Sequence, residues 1–140
     1  MLTSTYPPDL VMPLKRELVK EGFEDTTTSE EVDEALSRKG TVLMVVNSVC
    51  GCAAGMARPG VIGSLQHTKT PDHLTTVFAG FDMEAVERAR EHFLPYPPSS
   101  PAIALFKDGK MVHFIERHQI QGRPAELIAQ NLMAAYDEYC

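Results

Sequence analysis

The chain has 140 residues, of which 44% are hydrophobic and 23% are charged, as expected of one globular domain with one core. Its formal net charge of −6, with 13 Lys and Arg residues that form no dense run, disfavours nucleic acid as a partner. The sequence has neither the pattern of an export signal nor an apolar stretch near the roughly 20 residues that span a bilayer. We therefore expect a cytoplasmic protein that does not associate with membranes.

The first 40 residues predict two helices. The first begins at Pro8, which suits the initial turn of a helix, and ends near Gly22. Its apolar stripe consists of Leu10, Val11, Leu14, Leu18 and Val19. Thr28 and Glu31 have the spacing of a capping box, which predicts a second helix that runs to about Lys39.

A β-α-β unit is predicted next. The run Thr41–Val46 is continuously apolar or β-branched, which is typical of a central strand covered on both faces. The segment Cys52–Gln66 predicts a helix that Pro59 kinks, because proline removes one backbone donor and clashes with the preceding turn. Leu74–Phe78 predicts the second strand of the unit.

The C-terminal part predicts a helix, a hairpin and a last helix. Asp82 can cap a helix over Met83–Phe93. Two apolar runs, Ala102–Phe106 and Met111–Ile115, are joined through Asp108-Gly109, which supplies the positive φ angles of a tight hairpin turn. A terminal helix then begins at Pro124, since its apolar residues recur at helical spacing.

This order of elements indicates the fold class. Two helices, a β-α-β unit, a further helix, a β-hairpin and a terminal helix predict an α/β protein with a thioredoxin-like fold. We expect a central mixed sheet flanked by helices, with the two N-terminal helices as additions, in a single domain over residues 1–140.

Cys50 and Cys52 carry the chemistry that the sequence suggests. They lie between the first predicted strand and the following helix, where unpaired amides and the helix dipole favour a thiolate, the nucleophilic form of cysteine. We expect Cys50, which precedes the helix, to be the more exposed thiol. Gly51 lets the backbone bend as a ring closed by these two cysteines requires, and such a strained disulfide favours oxidation or isomerisation of other thiols.

Two other uses of the cysteines remain open. A histidine such as His67 or His73 can join Cys50 and Cys52 in a zinc or copper site, although the sequence has no second closely spaced cysteine pair. Cys140, the last residue, is either an inert terminal thiol or a further redox group.

Pro101 is the second chemical signal, because it stands directly before a predicted strand. A proline there is often only a strand-edge residue. In thioredoxin-like folds, however, a cis-proline at this position lies against the active thiols and shapes the substrate groove. We therefore expect the Ser100–Pro101 peptide bond to be cis.

The residues from Asn47 to Gly60, NSVCGCAAGMARPG, together with Pro101 and the run FIERH at 114–118, resemble the bacilliredoxin family. The resemblance covers nearly the whole chain. It implies a thiol-disulfide oxidoreductase that removes bacillithiol from protein mixed disulfides. In that reaction Cys50 attacks the bacillithiol sulfur, and Cys52 resolves the product or tunes the first thiol.

The same resemblance implies the partners. They are bacillithiolated or disulfide-bonded client proteins and a low-molecular-weight thiol, with bacillithiol as co-substrate and no bound cofactor. We expect Gly51, Ser100 and Pro101 to line the substrate groove, and Arg58 to contact the carboxylates of bacillithiol. General protein disulfide isomerase activity remains an alternative.

Overall fold

The computed structural model describes residues 5–140, and five strands in it form one mixed sheet. The strands are β1 (Glu24–Asp25), β2 (Thr41–Asn47), β3 (His73–Phe78), β4 (Ala102–Lys107) and β5 (Lys110–Ile115). Their order is β1-β3-β2-β4-β5, with β3 parallel to β1 and β2, and β4 antiparallel to β2 and β5. The predicted central mixed sheet is confirmed.

Helices cover both faces of this sheet. They are α1 (Pro8–Val19), α2 (Ser29–Leu36), α3 (Arg58–Ser64), α4 (Met83–His92), α5 (Arg117–Ile120) and α6 (Ala125–Tyr139). Apolar residues of α2 and α4 form one buried cluster with the sheet, and those of α1, α3 and α6 form another. In the described part of the chain, no helix has the length and hydropathy needed to cross a bilayer.

Strand β2 lies between the two apolar clusters, and all seven of its residues are buried. Val42, Met44 and Val46 point to the cluster of α2 and α4, whereas Leu43 and Val45 point to the other. This alternation follows from the pleat of a strand, which sends successive side chains to opposite faces. The prediction of a central strand covered on both faces is therefore confirmed.

Helix α1 buries a face that overlaps only in part with the predicted apolar stripe. Val11 and Leu18 are buried as predicted, whereas Leu10 and Val19 are 46% and 41% exposed. The buried face also includes Lys15, whose Nζ lies 2.9 Å from Asp25 and 2.7 Å from Asp82. A lysine with such partners is buried on a face where the hydrophobic pattern alone gives no reason to expect it.

The two predicted helix caps also differ in detail. Thr28 Oγ1 accepts the amide of Glu31 as expected, but Glu31 Oε1 accepts the amide of Thr27 instead of that of Thr28. Asp82 occupies the N-cap position of α4, and its carbonyl accepts the amide of Val86 at 2.9 Å. Its side chain does not cap the helix, and the carboxylate lies 2.7 Å from Lys15 Nζ instead. The hairpin turn is as predicted, with Asp108 and Gly109 at φ 50° and 82°. The sequence patterns missed the two-residue β1 and the single turn α5.

Candidate active site

The candidate site lies at one edge of the sheet. The parallel strands β2 and β3 both end there, at Asn47 and Phe78, and Cys50 follows β2 by three residues. Strand β4 runs the other way, so the Ser100–Pro101 bond that precedes it reaches the same edge. This bond is cis, as predicted, and so is Leu94–Pro95, which was not predicted. Ligands of α/β proteins bind preferentially beyond the carboxyl ends of parallel strands.

The sulfur of Cys50 caps the helix that follows it. The Cys50 carbonyl accepts the amides of Ala53 and Ala54, at 3.0 and 3.2 Å, which makes Cys50 the N-cap residue. Its Sγ accepts the amide of Cys52 at 3.2 Å, and its own amide donates to Ser48 Oγ at 3.2 Å. A serine or aspartate oxygen usually fills this position, so the sulfur lies where a negative charge is stabilised.

The pKa values of the two thiols are shifted in opposite directions. Burial raises the pKa of Cys50, but the amides of Cys52 and Ala53, the Cys52 thiol and the charge of Arg117 outweigh it, and the net pKa is lowered. The Cys52 thiol donates a hydrogen bond to the Cys50 sulfur, and this bond is the largest cause of the raised pKa of Cys52. Burial and the negative charge of Cys50 raise the pKa of Cys52 further. Cys50 is therefore the thiol that ionises first.

Both thiols are free and both are half-buried. The expectation that Cys50 is distinguished by greater exposure is therefore not confirmed. The two thiols differ in what they face, because Cys50 lines an open cleft whereas Cys52 packs against the apolar cluster of α1, α3 and α6. Gly51 between them is exposed, and a Cβ there would meet no atom within 4 Å.

The helix after Cys50 runs continuously over residues 51–64 and contains one π-helical turn, Ala53–Ala57, before α3. The Arg58 amide bonds to the carbonyl of Ala53, five residues earlier. Pro59 follows at once and has no amide to continue the regular pattern. The irregularity next to Pro59 is therefore a π turn between the thiols and α3.

Arg58 requires a correction. We expected it to contact a substrate carboxylate, but its side chain is 2% exposed and already bonded within the protein. Its Nη1 donates to Asn47 Oδ1 and to the Ser48 carbonyl at 2.8 and 2.9 Å, and its Nε donates to Glu17 at 3.0 Å. Arg58 therefore fixes the segment that leads to Cys50 and is not available to a ligand.

Arg117 is the cation that the sequence analysis missed at the thiols. It opens α5, directly after β5, and its Nη1 donates to the Ser100 carbonyl at 3.3 Å. The pairing of Ile103 with Ile115, continued by two residues, brings residue 117 beside residue 101, at the edge where Cys50 lies. The sequence did not give this register, because a shift between Leu105 and Phe106 displaces the pairing by one residue from the one that the Asp108-Gly109 turn sets.

The cleft beside Cys50 has a volume of about 210 Å³. Its walls include Ser48, Cys50, Gly80, Arg90, Ser100 and Arg117, which come from five separate parts of the chain. Pro101 itself is buried behind Ser100. The structure thus places Cys50 and Ser100 on one cleft, with Cys52, Gly51 and Pro101 adjacent in the chain.

The other candidate groups lie elsewhere. Among residues 5–140, no three His, Cys, Asp or Glu side chains are grouped to hold a metal ion, and His67 bonds instead to Asp137 at 2.7 Å. Cys140 is exposed and lies 3.5 Å from Thr41 Oγ1, at the start of β2. Because Cys50 follows the other end of that strand, roughly 20 Å separates the two thiols.

Comparisons with known proteins show the family to which the chain belongs. A family model described as disulphide isomerase matches residues 6–140. A bacilliredoxin of Cytophaga hutchinsonii is 61% identical over 133 residues, which are 95% of this chain and 98% of that protein. A bacilliredoxin of Geobacillus kaustophilus is 52% identical over 132 residues, which are 94% of this chain and 91% of that protein.

Solved structures establish the fold independently. A mutant thioredoxin of Halobacterium salinarum superposes with a TM-score of 0.57 at 20% identity, covering 82% of this chain and 88% of that one. The oxidised thioredoxin of Plasmodium falciparum superposes with a TM-score of 0.57 at 18% identity, and the match covers 84% of this chain and 98% of that one. The protein is therefore a thiol-disulfide oxidoreductase with a thioredoxin-like fold. Within that class, the chain belongs to the bacilliredoxin family.

Proposed function

We propose that this protein removes bacillithiol from mixed disulfides with client proteins, with Cys50 as the attacking thiolate. The observation that carries the proposal is the position of the Cys50 sulfur, which caps a helix, has a lowered pKa and opens on a cleft. The names of the similar bacilliredoxins support the choice of bacillithiol as the co-substrate.

In the first step the Cys50 thiolate attacks the bacillithiol sulfur of the mixed disulfide. A disulfide forms between Cys50 and bacillithiol, the bond to the client breaks, and the client leaves as a thiolate that takes up a proton. Thiol-disulfide exchange proceeds through such mixed disulfides, and its rate rises with the fraction of attacking thiolate. The lowered pKa of Cys50 increases that fraction near neutral pH.

The second step regenerates the thiol. The negative charge and hydrogen-bond acceptance of Cys50, which raise the pKa of Cys52, disappear once the Cys50 sulfur is in a mixed disulfide. Arg117 then still favours the Cys52 thiolate. In one route Cys52 attacks the Cys50 sulfur and releases bacillithiol as a thiol, which leaves a Cys50–Cys52 disulfide that a low-molecular-weight thiol must then reduce. In the other route a second bacillithiol attacks the sulfur of the bound one, which forms bacillithiol disulfide and frees Cys50 as a thiol.

The proposal is tested by intact-protein mass spectrometry with a bacillithiolated client. We expect the adduct to move from the client to Cys50 in the wild type, to persist on Cys50 in Cys52→Ala, and to stay on the client in Cys50→Ala. Cys140→Ala is the matched control and should behave as the wild type, because Cys140 lies beyond the far end of β2. Release of the client by Cys50→Ala at the wild-type rate would contradict the proposal.

A second candidate function is disulfide isomerisation without preference for bacillithiol, which the description of the matching family model favours. Refolding of a scrambled disulfide protein separates the two candidates. An isomerase restores the scrambled protein at a rate comparable with its removal of bacillithiol, whereas the proposed enzyme acts mainly on the bacillithiolated client.

A further inference from the structure

Arg90 is an unusual residue of the cleft that Cys50 lines. It lies in the last turn of α4, and its Nε is buried with no hydrogen-bond partner. Among residues 5–140, it forms no ion pair. Burial lowers its pKa. The residue as a whole is half-buried, so part of its guanidinium can be reached from the cleft. Buried donors are normally satisfied, and the unpaired Nε therefore marks a place where an acceptor can bind.

Other arginines of the chain show that carboxylates are available. Arg88, two residues earlier on the same helix, pairs with Asp33 and Glu91. Arg38 pairs with Glu24 and Glu34. The chain has 19 Asp and Glu residues and a net charge of −6, so the lack of a partner for Arg90 does not reflect a shortage of acids.

Arg117 is the second cation of the cleft without a carboxylate partner in residues 5–140. Its contacts are to the Ser100 carbonyl and to the thiols, and it lines the same cleft as Cys50 and Arg90. A neighbouring cleft of about 350 Å³ shares Gly80 and Arg90 with the first. The space around Arg90 therefore continues beyond the immediate surroundings of Cys50.

We propose that Arg90, assisted by Arg117, binds a carboxylate of the low-molecular-weight thiol and directs the sulfur of that thiol to Cys50. The inference rests on the proposed function and specifies how its co-substrate is held. Bacillithiol carries carboxylates, and a guanidinium presents parallel N–H donors that match a carboxylate. A carboxylate bound there also supplies the buried Nε of Arg90 with the acceptor that the protein does not provide.

The test measures how fast Cys50 forms a mixed disulfide with two small disulfides, in a Cys52→Ala background. Bacillithiol disulfide carries carboxylates, and hydroxyethyl disulfide is neutral. For Arg90→Gln we expect the rate constant with bacillithiol disulfide to fall about 10- to 100-fold, and that with the neutral disulfide to change less than about threefold. Arg88→Gln removes the same charge from the same helix and should leave both rates unchanged.

Two further variants make the result specific. Arg90→Lys keeps the positive charge but loses the parallel N–H donors of the guanidinium. It should therefore retain part of the preference for bacillithiol disulfide over the neutral disulfide. Arg117→Gln should slow both reactions, because it raises the pKa of Cys50, and should slow the reaction with bacillithiol disulfide more. Arg90→Lys also provides the measurement if Arg90→Gln fails to fold.

The opposing outcomes are distinct. Equal losses with both disulfides, or no loss with either, would overturn the anion site while leaving the Cys50 chemistry intact. A loss confined to a bacillithiolated client protein would show that Arg90 binds an acidic side chain of the client, which also overturns the proposal. Failure of the proposed function is recognised separately, by wild-type client release in Cys50→Ala.

Discussion

Cys50 and Cys52 differ in acidity although a single residue separates them. The Cys50 sulfur accepts the Cys52 amide and lies near Arg117, whereas Cys52 has a thiolate as its neighbour. Ionisation of one thiol therefore opposes ionisation of the other. The order in which they react follows from this coupling, because the thiolate is the attacking species.

Substituting Arg117 by Gln should raise the pKa of Cys50. Alkylation of Cys50 by iodoacetamide follows the thiolate fraction, so its rate rises with pH and reaches half of its plateau at the pKa. In the wild type we expect that midpoint at a lower pH than for an unperturbed cysteine thiol. In Arg117→Gln the midpoint should move to higher pH, with a lower rate at pH 7.

The control for this measurement is Arg88→Gln, whose guanidinium is engaged by Asp33 and Glu91. It should leave the alkylation profile in place. Absorbance of the thiolate near 240 nm provides an independent titration of the same group. An unchanged midpoint in Arg117→Gln would show that the helix N-terminus alone lowers the pKa.

Among the elements, α3 and α6 approach each other closely at Gly60. A Cβ on Gly60 would lie 2.7 Å from Ile128 Cγ2 and 3.1 Å from the Ala125 carbonyl. Glycine in a helix is normally a disadvantage, so the sequence alone suggests that Gly60 weakens α3. The packing shows that Gly60 is what allows α6 to cover the helix that begins at the thiols.

Gly60→Ala should therefore destabilise the protein, by about 1–3 kcal/mol, because an added methyl group must displace Ile128 or separate the helices. Gly63→Ala is the matched control in the same helix. A Cβ there meets only Ala129 Cβ at 3.6 Å, an ordinary contact, so the substitution should be neutral or stabilising by up to about 1 kcal/mol. Urea unfolding of both variants makes the comparison, and equal effects would refute the close-packing argument.

At the scale of the whole molecule, Lys15 joins three separate parts of the chain. Its Nζ lies 2.9 Å from Asp25 of β1 and 2.7 Å from Asp82, which precedes α4. The side chains of Lys15 and Asp82 are 5% and 9% exposed, so these charges are largely removed from water. The two ion pairs of Lys15 attach α1 to the edge of the sheet at the end of β3.

Lys15→Met should destabilise the protein by about 3–5 kcal/mol at neutral pH, because it leaves carboxylates in a buried position without a cation. Burial raises the pKa of Asp82 even in the wild type. A raised folded-state pKa means that the folded protein holds this proton more tightly than the unfolded chain does. The protonated Asp82 carboxyl therefore stabilises the folded state at low pH. This contribution to the free energy of unfolding is lost as the pH rises through the folded-state pKa of Asp82.

The destabilisation in Lys15→Met should therefore shrink as the pH is lowered towards 4. Urea unfolding at several pH values measures it, with Lys20→Met, at the exposed C-cap position of the same helix, as the control. That control should change the free energy of unfolding by less than about 0.5 kcal/mol at any pH. A loss that is independent of pH would indicate a packing defect instead of unpaired carboxylates.

Most of the fold was predictable from local sequence. The apolar run of β2, the Asp108-Gly109 turn and the helical spacing after Pro124 each reflect a requirement that neighbouring residues satisfy among themselves. The two-residue β1 and the single turn α5 were not predictable, because elements of that length have no periodicity. Their backbone conformation is set by the strands and loops against which they lie.

The sequence by itself determined the fold class and singled out the Cys50 and Cys52 pair, since helix and strand periodicity and thiol spacing are local properties. Only the tertiary structure decided which arginines line the cleft of Cys50. Arg58 is turned inward and bonded, whereas Arg90 and Arg117 reach the cleft from distant segments. The reason is geometric: the ends of several strands converge at one sheet edge, and whether a charged side chain meets a carboxylate or an empty cleft depends on that convergence.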